Sequence, residues 1–306
     1  MNQISPIKFQ ELTKLTSLGI AAEVLKQANV SFESDKFITI KEVAPDGSVQ
    51  FNIIDVTQNF KSQKKAIKSA DFAIMHINKN IISVRMESGT STTVQIANLT
   101  KKEQKSYEIK EGVTFWHWVT PDILGIVGSN SVYHINIATS TLEKIFERSG
   151  QLLSAQILGY STDSSGKWCM LFGISQGEQN QLNGHLLLYF TESKQSQYID
   201  GFAPSFGEIA IEDPNYKNSL VCFVSKKPNE SSSYMNFMEI GKPKDGTNKF
   251  KKKTQVQYSP DIVSDLPILS QISEKYQLLF MITKAGYLFI YDIQTGSKLF
   301  RNRIST

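Results

Sequence analysis

A unit of four short strands recurs along the chain, and that recurrence limits the fold more than any single motif does. The clearest copy reads Ile268-Leu269-Ser270-Gln271-Ile272, Leu278-Leu279-Phe280-Met281-Ile282, Tyr287-Leu288-Phe289-Ile290-Tyr291-Asp292 and Lys298-Leu299-Phe300-Arg301. These are branched and aromatic runs divided by polar turns, four strands in about 35 residues. Aligning the third strand of each copy places Asp55, Asn98, Asn136, Phe190, Glu239 and Asp292 in equivalent positions, at spacings of roughly 40 to 55 residues. Six units follow, from about Val30 to Ile304. One four-stranded sheet cannot bury both faces until neighbours stack on it, so the pattern predicts an all-β propeller. No Trp-Asp dipeptide marks any unit, which makes the blades divergent. A pair of β-sandwiches is the alternative that the strand pattern allows. Ile4 to Leu12 reads as a further strand that closes the ring, and Gly19 to Lys26 as a short connector.

Composition narrows the class. Of 306 residues, 40% are hydrophobic and 20% charged, the profile of a folded chain in water. The 33 basic and 29 acidic residues leave a net charge of +4, too small to imply nucleic acid or a membrane surface without a clustered patch. Cys169 and Cys222 are far apart with no histidine at ligand spacing, so we expect neither a disulfide framework nor a metal, and a reducing compartment. No run approaches the 18 or so apolar residues of a membrane helix, and the N-terminus does not read as a signal peptide.

No catalytic constellation emerges. Ser164-Ser165-Gly166-Lys167-Trp168 lacks the upstream glycine and the Ser or Thr of a phosphate loop and reads as a hairpin turn. His76, His117, His134 and His185 fall on separate strands and read as structural, as do two thiols inside apolar strands. Alternation sends Trp116 and Trp118 to one face, expected to be core. Lys249-Phe250-Lys251-Lys252-Lys253 reads as a solvated edge guarded against sheet pairing. More suggestive is Thr93-Val94-Gln95-Ile96-Ala97-Asn98-Leu99 before Lys101-Lys102, where Gln95 could serve an extended peptide's backbone and lysines its acids.

Several words resemble one family: Glu33-Ser34-Asp35-Lys36-Phe37, Ser69-Ala70-Asp71-Phe72-Ala73-Ile74-Met75, Val113-Thr114-Phe115-Trp116-His117-Trp118, Ile272-Ser273-Glu274-Lys275-Tyr276 and Ile282-Thr283-Lys284-Ala285-Gly286-Tyr287. From Gln3-Ile4 to Asn302-Arg303-Ile304-Ser305 the chain resembles the N-terminal domain of the clathrin heavy chain. The resemblance implies a single seven-bladed β-propeller domain over 1–306, with 4–12 as closing strand and the seventh blade incomplete in this chain. It also implies a coat subunit of cytoplasmic coated pits and vesicles in endocytosis and intracellular transport, not an enzyme and without cofactors. Its partners would be adaptor and accessory proteins carrying Leu-apolar-x-apolar-acid motifs of the clathrin-box type. Light-chain binding and trimerisation would use regions outside this sequence, and membrane contact would be indirect. A propeller hydrolase, or a spacer whose grooves have degenerated, are the competing readings.

Carried over by residue, the clathrin-box groove between the first two blades maps to Ile82, Thr93, Gln95, Leu99 and Lys102, with Lys64 or Lys65 near a family arginine. Ile82 and Leu99 would line apolar pockets, Thr93 and Gln95 would bond the peptide backbone, and Lys102 would meet the terminal acid. Ala97 stands where the family has an aromatic, and Glu87-Ser88-Gly89-Thr90-Ser91 carries inserted residues, which implies a wider pocket and lower affinity. A second groove, between blades four and five, maps to Trp168, Leu188 and Gln197, with Ser193 and Gln195 replacing a family arginine and valine. A third site maps to Gln156 and Leu158, with Gln27 in place of an aromatic.

Overall fold

The computed structural model describes residues 6–26, 28–44, 46–67, 70–178, 181–211, 215–226, 230, 232–241, 249–260, 262 and 265–305. Residues up to Ile145 and from Phe146 onward form two compact units. In the first unit, β1 (Val30–Ser31), β2 (Phe37–Val43), β3 (Val49–Asp55) and β4 (Lys61–Ala66) make one antiparallel sheet in that order. A second follows with β5 (Phe72–Met75), β6 (Ile81–Ser88), β7 (Ser91–Asn98) and β8 (Glu103–Ile109). The third holds β9 (Val113–Thr120), β10 (Ile123–Gly128), β11 (Ser131–Asn136) and β12 (Thr141–Glu147).

In the second unit, β13 (Gln156–Thr162), β14 (Trp168–Gln176), β15 (Leu182–Phe190), β16 (Gln195–Ile209), β17 (Asn218–Ser225), β18 (Tyr234–Glu239) and β19 (Lys251–Gln255) form one seven-stranded sheet. It is two repeats sharing a strand. β16 closes the fourth repeat and opens the fifth, bending at a register shift between Phe202 and Ser205. Ala203 takes a left-handed backbone there (φ 47°), held by the Ser270 hydroxyl donating to its carbonyl at 2.6 Å. The last sheet is β20 (Pro267–Ser273), β21 (Leu278–Thr283), β22 (Tyr287–Asp292) and β23 (Lys298–Arg303).

The six aligned positions are all the last residue of a third strand. In four of them a short acid or amide turns the chain. Asp55 accepts from Thr57 N–H, Asn98 from Thr100 and Lys101, Asn136 from Ala138 and Thr139, and Asp292 from Thr295. Four residues further on, Asn59, Lys102, Ser140, Lys194 and Gly296 take positive φ, the left-handed step that reverses the chain into strand four. The repeat is therefore written in turn chemistry as well as in apolar periodicity.

Stacking supplies the core. Phe37, Phe51 and Ile53 of the first sheet pack on Met75, Ile82 and Val84 of the second. The other face of the second, with Ile74, Val94 and Ile96, packs on Trp116, Trp118 and Ile126 of the third. In the second unit, Leu186 and Leu188 pack with Val221 and Phe223, and Cys222 and Phe237 with Met281, Phe289 and Tyr291. The first sheet's remaining face, with Ile40 and Ile54, is covered by the N-terminal turns Leu15–Leu18 and Ala22–Val24. Residues 6–12 carry no strand, against the expectation for Ile4 to Leu12, while Ile4 itself lies outside the described residues. Phe9 and Leu12 are 67% and 74% exposed, so apolar alternation alone does not make a strand where no ladder receives it.

Candidate functional site

The eight residues carried over for the first groove lie in the first two sheets, and strand pairing decides which of them face each other. On β7, Thr92, Val94 and Ile96 are buried toward the third sheet, so Thr93, Gln95 and Ala97 line the opposite face, half-buried toward the first. Their partners on β6 are Met86, Val84 and Ile82, and on β8 Glu108, Ser106 and Gln104. The result is a strip of small and polar side chains over an apolar floor. Gln95 Nε2 donates weakly to Ser106 Oγ at 3.4 Å, a bond that an incoming peptide can replace.

Two of these placements, Ile82 and Lys64, differ from the expectation. Ile82 is only 1% exposed and sits in the floor beneath Ala97, where it supports the surface without forming part of it. Leu99, half-buried, is the apolar residue that reaches the rim, fixed by its N–H on the Asn80 carbonyl. Lys64 and Lys65 are on opposite faces: Lys65 pairs across from Phe51 on the groove side, whereas Lys64 lies across from Asn52 and binds Glu42 at 2.6 Å. Lys102 is exposed at the β7–β8 turn, its N–H donated to the Asn98 carbonyl. Glu87 to Ser91, where the resemblance implied inserted residues, form the end of the β6–β7 hairpin, whose tip is Gly89 and Thr90 between paired Ser88 and Ser91. Lys61 and Gln63, not singled out in the sequence, share the groove face of β4 with Lys65. Period-two alternation from Lys65 was the signal that could have found them.

The residues carried over for the second groove share one sheet face within the second unit. Trp168 stacks on Phe190 (4.5 Å between ring centroids), and Met170, Leu188 and Gln197 continue that face across three strands. The facing side of the fifth repeat carries Met238 with Lys251 and Asn236 with Lys253, so the basic run is split by face: Lys251 and Lys253 turn to this groove and Lys252 away from it. Gln195 is on the groove face and Ser193 in the turn before β16. For the third site, exposed Gln156 lines an open depression with Ser154, Ile174 and Leu182, and Leu158 lies at a bulge in β13. Gln27 lies outside the described residues.

The histidines are held as structural parts. His76 is buried against Trp118, its Nε2–H donating to the Pro121 carbonyl at 2.6 Å while Nδ1 accepts from Asn78 and Lys79 N–H. Burial lowers its pKa, and burial takes that of His134 down to about 4. His185 is likewise lowered and pairs with the Ser175 hydroxyl, and His117 binds Glu33. Burial pushes the Cys169 thiol up to about 11 and the Cys222 thiol higher still, away from reactivity. Among the described residues no group of three or more His, Cys, Asp or Glu could hold a metal ion.

No protein-family model matches the chain. Clathrin heavy chain 2 of Oryza sativa subsp. japonica is 36% identical over 310 residues, covering 98% of this chain. The clathrin heavy chain of Drosophila melanogaster is 34% identical and the probable one of Schizosaccharomyces pombe 29% identical, each covering 100% of this chain. The chain is homologous to the N-terminal region of clathrin heavy chains. It spans 18% of the length of these relatives. Among solved structures, Kluyvelomyces marxianus Hsv2 aligns with a TM-score of 0.54 at 10% identity, over 91% of this chain and 81% of that one. The Myceliophteria thermophila Cps50 (Swd1) β-propeller domain aligns with a TM-score of 0.50 at 9% identity, over 91% and 86%. The fold class of this clathrin-related chain is thus a β-propeller of divergent repeats, and the sandwich alternative falls away.

Proposed function

We propose that the chain is the adaptor-binding propeller of a vesicle-coat subunit, and that its principal groove, between the first two sheets, captures short Leu-apolar-x-apolar-acid segments of adaptor and accessory proteins. The observation that carries this reading is the half-buried strip of Thr93, Gln95 and Ala97 over an apolar floor, with Lys65 across from it and Lys102 at its end. An extended peptide could leave its main-chain groups on Thr93 and Gln95, its apolar side chains against Leu99 and Ala97, and its acid near Lys102. The groove of Trp168, Leu188 and Gln197 is proposed as a secondary site of the same kind, with Lys251 and Lys253 as its cations. Gln156 and Leu158 are proposed as the third. Light-chain binding and trimerisation through other parts of a longer subunit, work on the cytosolic face of coated membranes, and membrane contact only through adaptors belong to the same proposal. No helix among the described residues is long and apolar enough to cross a membrane.

Calorimetric titration with a Leu-apolar-x-apolar-acid peptide tests the principal groove. So short a ligand should bind at tens to hundreds of micromolar, about −5 to −6 kcal/mol. Gln95→Ala should weaken it about three- to ten-fold through lost backbone bonds. No heat at millimolar peptide, with the fold intact, would leave the spacer reading in its place.

A further inference from the structure

The fifth and sixth repeats, both in the second unit, meet through an apolar core whose outer rim is basic. From the fifth repeat, Lys252 and Thr254 lie across from Phe237 and Met235, on the face turned to the sixth. From the sixth, Lys298, Arg301 and Arg303 lie across from Tyr291, Phe289 and Tyr287, on the face turned back. The two walls are pinned close together: the Thr254 hydroxyl donates to the Gly296 carbonyl at 2.5 Å. Lys298 Nζ reaches Gln257 Oε1 at 2.8 Å, and Arg301 donates to the Gln257 and Tyr258 carbonyls at 3.0 and 3.3 Å while lying over the Tyr287 ring. Among the described residues, none of Lys252, Lys298, Arg301 and Arg303 makes an ion pair. Of the described carboxylates in the flanking turns, Asp292 Oδ1 accepts from Thr295 and Asp265 Oδ1 from the Leu266 and Ala285 N–H groups, while buried Asp265 Oδ2 has no hydrogen-bond partner, and neither makes an ion pair with these cations.

We propose that this rim, Lys252, Thr254, Tyr287, Lys298, Arg301 and Arg303, is a binding site for an extended acidic peptide, distinct from the apolar-motif grooves. On β23 the cations share the side that faces the fifth repeat, while Phe300 and Asn302 take the other. At the matching places in the second sheet, β8 carries Gln104, Ser106 and Glu108, so the repeat itself does not dictate cations here. Alternate residues of a strand are about 6.5–7 Å apart, so carboxylates at alternate positions of an extended peptide match Arg301 and Arg303, whose guanidinium groups donate to carboxylates; Arg303 Nε already donates to the Ala285 and Ser305 carbonyls, which leaves its terminal nitrogens for the peptide. Burial and the charge of Arg301 both lower the pKa of Lys298, a like-charge tension that a bound carboxylate relieves.

The test is fluorescence anisotropy with a labelled Gly-Glu-Ser-Glu-Ser-Glu-Gly peptide, which has no apolar side chain for the other grooves. We expect salt-sensitive binding that falls about ten-fold in Arg301→Gln/Arg303→Gln and about three-fold in the exposed-site variant Lys252→Glu, with Lys102→Glu unchanged. Equal binding of the Gln-for-Glu peptide, loss in Lys102→Glu, or full binding by Lys252→Glu and the double variant would each overturn the proposal. So would vesicles containing phosphatidylinositol bisphosphate that sediment the parent but not Lys252→Glu when the peptide does not bind, since the rim would then be a lipid site. If the double variant fails to fold, Lys252→Glu alone decides.

Discussion

The β7 wall of the second sheet and the β22 wall of the sixth occupy the same place in the repeat, yet one is open and the other filled. Thr93, Gln95 and Ala97 stand where Tyr287, Phe289 and Tyr291 stand. The first three are half-buried, whereas Phe289 and Tyr291 are fully covered by the fifth repeat. Backbone and turns are alike in both, down to an Asx turn and a left-handed residue four positions on, Lys102 in one and Gly296 in the other. The difference teaches that the repeat fixes where a groove can be, and that side-chain size at three alternating positions decides whether it stays free for a ligand or becomes core.

The largest effects should come from breaking filled walls. Phe289→Ala, and Trp116→Ala on the buried interface behind the first groove, should each cost about 3–5 kcal/mol in urea unfolding, because both leave cavities among packed aromatics. Peptide binding at the first groove should persist in whatever fraction stays folded. A stable Trp116→Ala protein that had lost only peptide binding would reverse the assignment of that residue to core.

Acid should act next, through the buried histidines. His134, in the first, has a folded pKa of about 4 because burial disfavours its imidazolium, against an ordinary value near 6.5. The unfolded chain therefore takes up the proton first. Stability is intact above about pH 6.5 and falls as pH drops toward 4, by up to about 3 kcal/mol from this residue. His76 adds to the same slope, since protonating Nδ1 would aim a third N–H at the Asn78 and Lys79 donors. In urea titrations across that window, His134→Gln should flatten the pH slope, and an unchanged slope would remove the residue from this account.

At the open wall the charge at its end should matter next. Lys102→Glu should weaken an acidic-ended motif by about 1 to 1.5 kcal/mol at low salt and less at high salt, since the attraction is between exposed charges. Isothermal titration at two salt concentrations checks it. A loss independent of salt would mean that the left-handed turn at Lys102, not its charge, had been disturbed.

How much of this was legible in the sequence depends on what each feature is made of. Strands and their repeat were readable because apolar alternation and turn residues are local: the last four strands begin and end within about two residues of the runs that suggested them. The sharing of β16 was not readable, since its bend rests on a left-handed Ala203 tethered by Ser270, 67 positions away. The alternating strand with Gln95 before Lys101-Lys102 stood out as a pattern, the other candidate groove residues only through resemblance, and their facing required the register, which put Lys64 on the other side and Ile82 in the buried floor. The basic run looked uniform as a string, but period-two alternation divides it between the two faces of its sheet.

The smallest effect tests the size rule directly. Ala97 is the one small apolar residue on the open wall, set over buried Ile82 and beside half-buried Leu99. Ala97→Phe adds a ring where there is room at the surface, so stability should move by no more than about 0.5 kcal/mol. If the ring lies over Ile82 and narrows the pocket without closing it, motif affinity should rise about three- to ten-fold, through apolar contact of roughly 1 kcal/mol. If size alone closes the wall, as the aromatics of β22 suggest it could, affinity should fall while stability rises. Paired titration and unfolding of this single variant separate the two outcomes. A fall in affinity would show that three large residues are not needed to turn this groove into core, and that Ala97 is what keeps it open.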